Sequence, residues 1–489
     1  MNRSLSHLLK GLEKIERYQF QDFEVSGLAL DNRKINSSNY LFAAIKGEVV
    51  DGHQFIDEAI KNGAKVILCE SLPENLIEEV VYLTSLDVPK TLGQIADNFY
   101  GHQTEKLVEV IGVTGTNGKT TVSTLLHQLF TLAGYKCGLI STVEIIIGSK
   151  SLPNTHTTPD VLTLHSLINQ MVEEDCEYIF MEVSSHSVVQ KRIAGIHFKA
   201  GLFTNLTHDH LDYHKTFDNY RDAKKGFFDL LEMDAFAISN ADDKNGKYML
   251  QNSRASRLYY SLENYSDFKG KILEYDLNGM DLQVNDDVFT SKLSGEFNAY
   301  NLTLVYATAS MLDIDKEELP IYMSQLSPPL GRFTTLVAKN GITSIVDYAH
   351  TPDALKNILE SIEKVNVMGK KIFTVIGCGG NRDKDKRPLM AKIAGEHSYK
   401  VILTSDNPRN EVAEDIIKDM ERGITASRKH DFLSVTDRGQ AIAVALQMAS
   451  PGDIVLIAGK GHEKYQEING VKTHFDDIEQ VLNYYQQIN

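Results

Sequence analysis

The stretch GVTGTNGKTT, residues 112 to 121, follows the apolar run VEVI and leads into a segment with Val122, Leu125, Leu126 and Leu129 on one helical face. An order of strand, glycine loop and helix predicts an α/β unit, in which backbone N–H groups at the helix start can close around an anion. Thr114, Gly115, Thr116, Asn117 and Gly118 supply the loop, Lys119 can reach the outer phosphates of a nucleotide, and Thr120 can hold Mg²⁺. Five residues separate Gly112 from Gly118, one more than in the common phosphate loop, but the strand and helix context is that of an anion site.

The rest of the chain extends this α/β pattern. With 489 residues and 42% hydrophobic side chains, it is too long for one core and suggests about three domains. Residues 1–100 read as a small α/β unit, 101–332 as a central phosphate-loop domain with a parallel sheet, and 333–489 as a C-terminal Rossmann-like domain. Lys and Arg number 50 against 66 Asp and Glu, a net charge of -16 that argues against a nucleic-acid binder, so any anionic ligand must be held by local groups. Cys69, Cys137, Cys176 and Cys378 are scattered singly and read as reduced core residues. The N-terminus lacks a signal-peptide core, and no run approaches the roughly 18 apolar residues of a membrane span, so a cytoplasmic protein with no membrane contact is expected.

Several further motifs carry chemistry. In MEVSSHSVVQKR a β run delivers Glu182 to its C-terminal end, where a carboxylate can meet a nucleotide's metal or simply be solvated. TNLTHDHLDYH crowds histidines and aspartates together; alone it could be a zinc site, but downstream of a phosphate loop a place beside Mg-nucleotide is the better reading. YRDAKKGFFDL reads as a helix with Lys224 and Lys225 on its exposed face. FNAYN sets Asn298 and Asn301 three apart, which by default are caps or surface amides, and Arg332 in PPLGRF falls at the junction of the second and third domains. In the last third, ITSIVDYAH, KIFTVIGCGGNRD, KVILTSDNPR and DIVLIAGKGHE each end in polar or glycine-rich chemistry, and strand tips of an open α/β sheet share one rim.

In this order GTNGKTT, EVSSH, NLTHDHLDYH and DYAHTPDAL resemble the Mur ligases, the ATP-dependent amide-bond synthetases of peptidoglycan assembly, and in particular those that add the third residue of the stem peptide. The resemblance runs from LDNR near residue 30 to GKGHE at 463. It implies that residues 114–120 bind the phosphates of ATP, and that Asn298, Asn301, Arg332 and Asp347 contact the nucleotide. It implies magnesium at Thr120, Glu182 and His210, with Lys224 carboxylated by CO₂ as a further metal-binding anion. Lys119, Lys224, His210 and Arg332 are then the catalytic set. Leu30, Asn32, Thr157, Thr158, Ser184, Gln190 and Arg192 would contact a UDP-N-acetylmuramoyl-dipeptide.

By the same resemblance Arg382, Asp406, Asn407, Pro408, Arg409, Gly459 and Glu463 would form the amino-acid pocket, and Asp-Asn-Pro-Arg marks the diaminopimelate-adding type. The chemistry agrees: meso-diaminopimelate is lysine-like with a second carboxylate at its far end, and an arginine fork grips a carboxylate bidentately. Glu463 would meet the distal ammonium. The partners implied are these small molecules alone, with a monomer expected. Three positions depart from the family pattern: Asn32 stands for Ser, Thr334 for Glu and His156 for Asn. The alternatives are L-lysine as the amine, a folate-type relative of the same superfamily, and a phosphate-loop ATPase that joins nothing.

Overall fold

The computed structural model describes residues 2–487 apart from 48–49, 155–156 and 367–368. His156 therefore lies outside the described residues. Three α/β units succeed one another along the chain, each built on its own large sheet.

The first sheet has five strands in the order Glu16–Tyr18, Val81–Thr84, Ala64–Cys69, Tyr40–Ala43, Gly27–Ala29, all parallel except the first pair. Its helix Val88–Tyr100 starts on an Asp87 side-chain cap to the Lys90 N–H, with a proline in the first turn. It stops at Gly101, whose φ of 88° suits glycine.

The central sheet has eleven strands. Its middle, in the order Cys137–Ile140, Tyr178–Glu182, Glu109–Thr114, Ala200–Phe203, Phe236–Asn240 and Ser256–Ser261, is parallel, as the alternation of apolar runs and helices predicts. Both ends depart from that expectation. An antiparallel hairpin, Glu144–Ile147 and Lys150–Pro153, extends one edge, and an antiparallel meander, Phe268–Asp276, Gly279–Val284 and Asp287–Ser291, extends the other. Tight turns such as Asp276-Leu277-Asn278-Gly279 join antiparallel strands, whereas parallel ones need a long crossover.

The third sheet runs Thr334–Val337, Thr343–Asp347, Ile454–Ala458, Ile372–Cys378, Lys400–Ser405, Phe432–Ser434, parallel but for its first strand. Ile372–Cys378 is buried along its whole length, because helices cover both faces of a parallel sheet. One face packs Leu355, Leu359 and Met390, the other Ile442, Leu446 and Val481. All four cysteines are buried and unpaired; burial pushes the Cys69 thiol up to about 11 and that of Cys378 to about 12, out of the reactive range. No helix among the described residues is long and apolar enough to cross a membrane.

Candidate functional site

The strand Glu109–Thr114 ends in the glycine loop, and the helix Lys119–Leu132 begins at Gly118, whose φ is 89°. A side chain at Gly118 would sit 2.5 Å from the Asn301 amide oxygen, and one at Gly115 would sit 1.9 Å from the Thr204 hydroxyl. Both glycines are therefore demanded by close approach as well as by backbone angle. Lys119 Nζ folds back onto the Gly115 and Thr116 carbonyls at 2.9 and 2.8 Å.

Lys224 is the larger departure from expectation. It is 1% exposed, and Lys225 is buried too, where the sequence suggested a solvated pair. The helix Phe217–Phe228 lies against Ser185–Val189 with Ala223, Phe227 and Phe228 also inward. Lys225 pairs with Asp229 at 2.7 Å, while Lys224 Nζ donates to the Gly115 carbonyl at 2.7 Å. Lys119 and Lys224 thus share one acceptor oxygen. Burial, with the charge of Lys119 added, holds the Lys224 amine well below its usual range. A neutral buried amine is a nucleophile.

Glu182, at its strand's C-terminal end, is 1% exposed. It accepts from Thr120 Oγ1 at 2.8 Å and from the Thr142 N–H and hydroxyl at 2.7 and 3.0 Å. Arg332, at the junction with the third unit, donates to the same Thr120 hydroxyl at 3.0 Å and lies over the Tyr348 ring at 4.5 Å. Its Nε is buried without a hydrogen-bond partner among the described residues. His210 takes a left-handed φ of 55°; its side chain is 42% exposed, and partial burial with the charge of Lys224 lowers its imidazole against the pull of Asp209. Asp209 stands beside it at 3.4 Å. Among the described residues no three His, Cys, Asp or Glu side chains are arranged to hold a metal, so the zinc reading has no support. Thr120 and Glu182 are in direct contact, and His210 lies within reach of the charges of Lys224 and Lys119.

Asn298 and Asn301 are buried, not surface amides: Asn301 donates to Asn298 Oδ1 at 3.1 Å, and Asn298 donates to the Ser294 carbonyl at 2.8 Å. Asp347 accepts the Phe333 and Ala349 N–H groups, both at 2.7 Å, and burial raises its carboxyl to about 6. Thr334, the departure from the family's glutamate, accepts the Gly331 N–H at 2.9 Å and so caps the junction turn instead of supplying a charge.

On the opposite flank Thr158 donates to the Glu182 carbonyl at 2.8 Å and Ser184 caps the helix Ser185–Val189. Arg192 pairs with the Gln190 amide at 2.6 and 2.9 Å and with the Thr158 carbonyl at 2.8 Å. Thr157 accepts from Thr142 at 3.1 Å. Asn32 and Leu30 lie in the first unit, where Asn32 donates to Glu58 at 2.8 Å. Among the described residues no hydrogen bond joins them to the central set.

The third unit gathers the strand tips on one rim. Asn407 donates to Glu463 at 2.7 Å, and Arg409 donates to the Gly380 carbonyl at 2.8 Å with Glu467 3.7 Å away. Pro408 precedes Arg409, whose φ is 52°. Gly459 takes a φ of 115° beside Asp406. Arg382 is exposed next to these groups. Sequence reasoning missed Glu411, which accepts two bonds from the buried Arg387 at 2.9 and 3.0 Å and the Asn381 N–H at 2.6 Å, tying the Arg382 loop to the Arg409 loop. It also missed Lys460 between the two glycines of GKGHE; the glycines themselves were the available signal.

A loop built for phosphate, facing a rim of carboxylates, amides and arginines on a separate α/β unit, defines a nucleotide-using enzyme that brings two substrates together. The chain belongs to the Mur ligase family. Residues 24–100 match the Mur ligase family catalytic domain, 113–309 the Mur ligase middle domain and 331–461 the Mur ligase glutamate ligase domain. A protein of Phocaeicola vulgatus named UDP-N-acetylmuramoyl-L-alanyl-D-glutamate–2,6-diaminopimelate ligase is 50% identical over 475 residues, 97% of this chain and 98% of its own. One of the same name from Cytophaga hutchinsonii is 52% identical over 459 residues, 93% of each chain. A solved structure of that name is 32% identical, with a TM-score of 0.71 over 100% of this chain and 99% of its own.

Proposed function

We propose that the protein is an ATP-dependent amide ligase that joins meso-diaminopimelate to UDP-N-acetylmuramoyl-L-alanyl-D-glutamate in peptidoglycan precursor synthesis, releasing ADP and phosphate. The observation that carries the reading is the Asp406-Asn407-Pro408-Arg409 tip on the polar rim, in a chain half identical to ligases named for diaminopimelate.

In this reading the D-glutamyl carboxylate attacks the γ-phosphorus of ATP and ADP leaves. The diaminopimelate amine then attacks the acyl phosphate, and the C–N bond forms as phosphate departs with the loss of an amine proton. The protein's work is positioning and charge neutralisation. Lys119 turns from the loop carbonyls toward the transferred phosphoryl group, and Arg332 adds a second positive charge from the junction, its free Nε available to an oxygen. Asn298, Asn301 and Asp347 would face the nucleoside end. Thr157, Thr158, Ser184, Gln190 and Arg192 would hold the muramoyl-dipeptide, with Leu30 and Asn32 at its uridine.

Thr120, Glu182 and His210 would hold Mg²⁺, which when bound screens the charge on the phosphate oxygens. The Lys224 amine, held well below its usual range, is suited in its neutral form to add to CO₂, forming an N–C bond and releasing one proton, so that a neutral amine becomes a carbamate anion facing Lys119. Intact mass of the protein under CO₂, against Lys224→Arg, checks this modification. Gly380 and Asn407 frame the fork of Arg409, which would take the distal carboxylate.

Phosphate release, measured with each substrate omitted in turn, tests the function. The expected result is release only when ATP, the UDP-dipeptide and diaminopimelate are present together. Release without the amine would return the protein to the class of simple ATPases.

A further inference from the structure

Lys460 is fully buried, 0% exposed, beneath the rim. Its three ammonium protons face three acceptors: Asp406 Oδ1 at 3.4 Å, Asn407 Oδ1 at 3.2 Å and Glu463 Oε2 at 3.3 Å. The ring of Tyr465 closes a further side at 5.5 Å. With its donors committed, Lys460 has none to offer a substrate. Removing a buried charge from such a cluster leaves its partners uncompensated, and that cost falls on the groups that remain.

We propose that Lys460 is a positioning residue for the amine substrate: it is the internal cation that ties Asp406, Asn407 and Glu463 together and aims Asn407 and Glu463 at the rim. The proposal rests on the ligase reading above and deepens it. Diaminopimelate brings an ammonium at each end, and a rim that has lost one negative charge to a proton receives the distal one poorly.

The surroundings support this division of labour. Asp406 comes from the neighbouring strand tip, Lys460 and His462 from the same loop as Glu463, Arg438 from the helix Arg438–Met448, Tyr348 from the end of Thr343–Asp347, and Tyr465 from the hairpin that follows. Arg438 bonds Asp477 twice at 2.7 Å and the Ala458 carbonyl at 3.0 Å, so its charge is felt by Asp406 and Glu463 without a hydrogen bond to either. His462 is kept neutral by burial and the charge of Arg332. Lys460 is therefore the cation in direct contact with both rim carboxylates. Burial and then the charge of Asp406 push the Glu463 carboxyl up, while Lys460 and Asn407 pull it down. The hairpin supplies a second brace: Gln466 donates to the Asp406 carbonyl at 2.7 Å and the Glu467 N–H to Asn407 Oδ1 at 3.0 Å, so Asn407 is fixed from two sides.

The test uses the full-length enzyme with ATP, Mg²⁺, UDP-N-acetylmuramoyl-L-alanyl-D-glutamate and varied diaminopimelate, following product from pH 5 to 9. Wild-type product formation is read first; failure there overturns the ligase reading and this proposal with it. With wild type active, Lys460→Met is expected to raise KM for diaminopimelate about tenfold, the worth of a charge-assisted contact, with KM for ATP changed less than twofold. Its acidic limb of kcat/KM for the amine should move to higher pH. Asp406→Asn, which is isosteric, removes the like charge beside Glu463 and should move that limb to lower pH, so the proposal stays testable even if Lys460→Met does not fold. An acidic limb that stays put or moves upward in Asp406→Asn overturns the proposal, as does a Lys460→Met enzyme whose KM for ATP and for diaminopimelate rise together.

Discussion

Where the helix Val88–Tyr100 meets the central unit, backbone lies on backbone; where the third unit meets it, side chains reach across a cleft. At the first joint a Cβ on Gly93 would come within 2.4 Å of the Ala194 carbonyl oxygen, and one on Gly195 within 2.2 Å of the Gly93 carbonyl oxygen. His165 stacks on Tyr100 and bonds the Ala194 carbonyl at 3.0 Å, and Val161 of the central unit is buried in the first unit's core. At the second joint Asn117 reaches Asp353 at 3.4 Å, Arg332 reaches Thr120 at 3.0 Å, and Lys364 pairs with Glu296 at the surface. Phe297 against Phe333 is its main apolar contact. Close packing of this kind resists separation, whereas polar side-chain contacts can be exchanged for water or substrate. The first joint is thus held by close packing, and the second chiefly by polar side chains.

Mutations can break this contrast. The largest effect is expected from Arg332→Ala, which removes charge from the phosphoryl site: kcat should fall by about a hundredfold or more with little change in thermal stability. Gly93→Val should drive a side chain into Ala194 and cost about 3 kcal/mol, read in denaturant unfolding, with activity lost through separation of the first unit. A Gly93→Val protein as stable as wild type would show that the first joint is loose. Asp353→Ala should cost about 1 kcal/mol or less in stability while changing KM for ATP, because its partner Asn117 belongs to the phosphate loop. Lys364→Ala, at an exposed pair, should change stability by no more than about 0.5 kcal/mol.

Much of the placement was legible because its signals are local. Glycine loops, capping residues and strand-end polar clusters carry their meaning within ten residues, so the position of residues 114–120 between strand and helix, of Glu182 at a strand end and of the four tips of the third sheet could be read in order. What was not legible depends on partners far away in the chain. Lys224 read as solvated because nothing near it reveals the Gly115 carbonyl 109 residues earlier. Lys460 and Glu411 drew no reading from the sequence; the first is fully buried among the strand tips, and the second is claimed by Arg387. The meander at 268–291 was passed over because its apolar residues are interspersed with polar ones and form no continuous run, one face being open to water. Glu463, expected to wait for a substrate ammonium, already holds Asn407 and Lys460.

The central claim is that the rim around Arg409 chooses the amine for a ligation driven at the phosphate loop. It is tested most directly by the mass of the product formed when equal concentrations of meso-diaminopimelate and L-lysine compete for one pool of UDP-N-acetylmuramoyl-L-alanyl-D-glutamate with ATP and Mg²⁺. The account predicts the diaminopimelate tripeptide almost alone, because an arginine fork grips the distal carboxylate, which L-lysine lacks. A product mixture in which lysine matches diaminopimelate would contradict it.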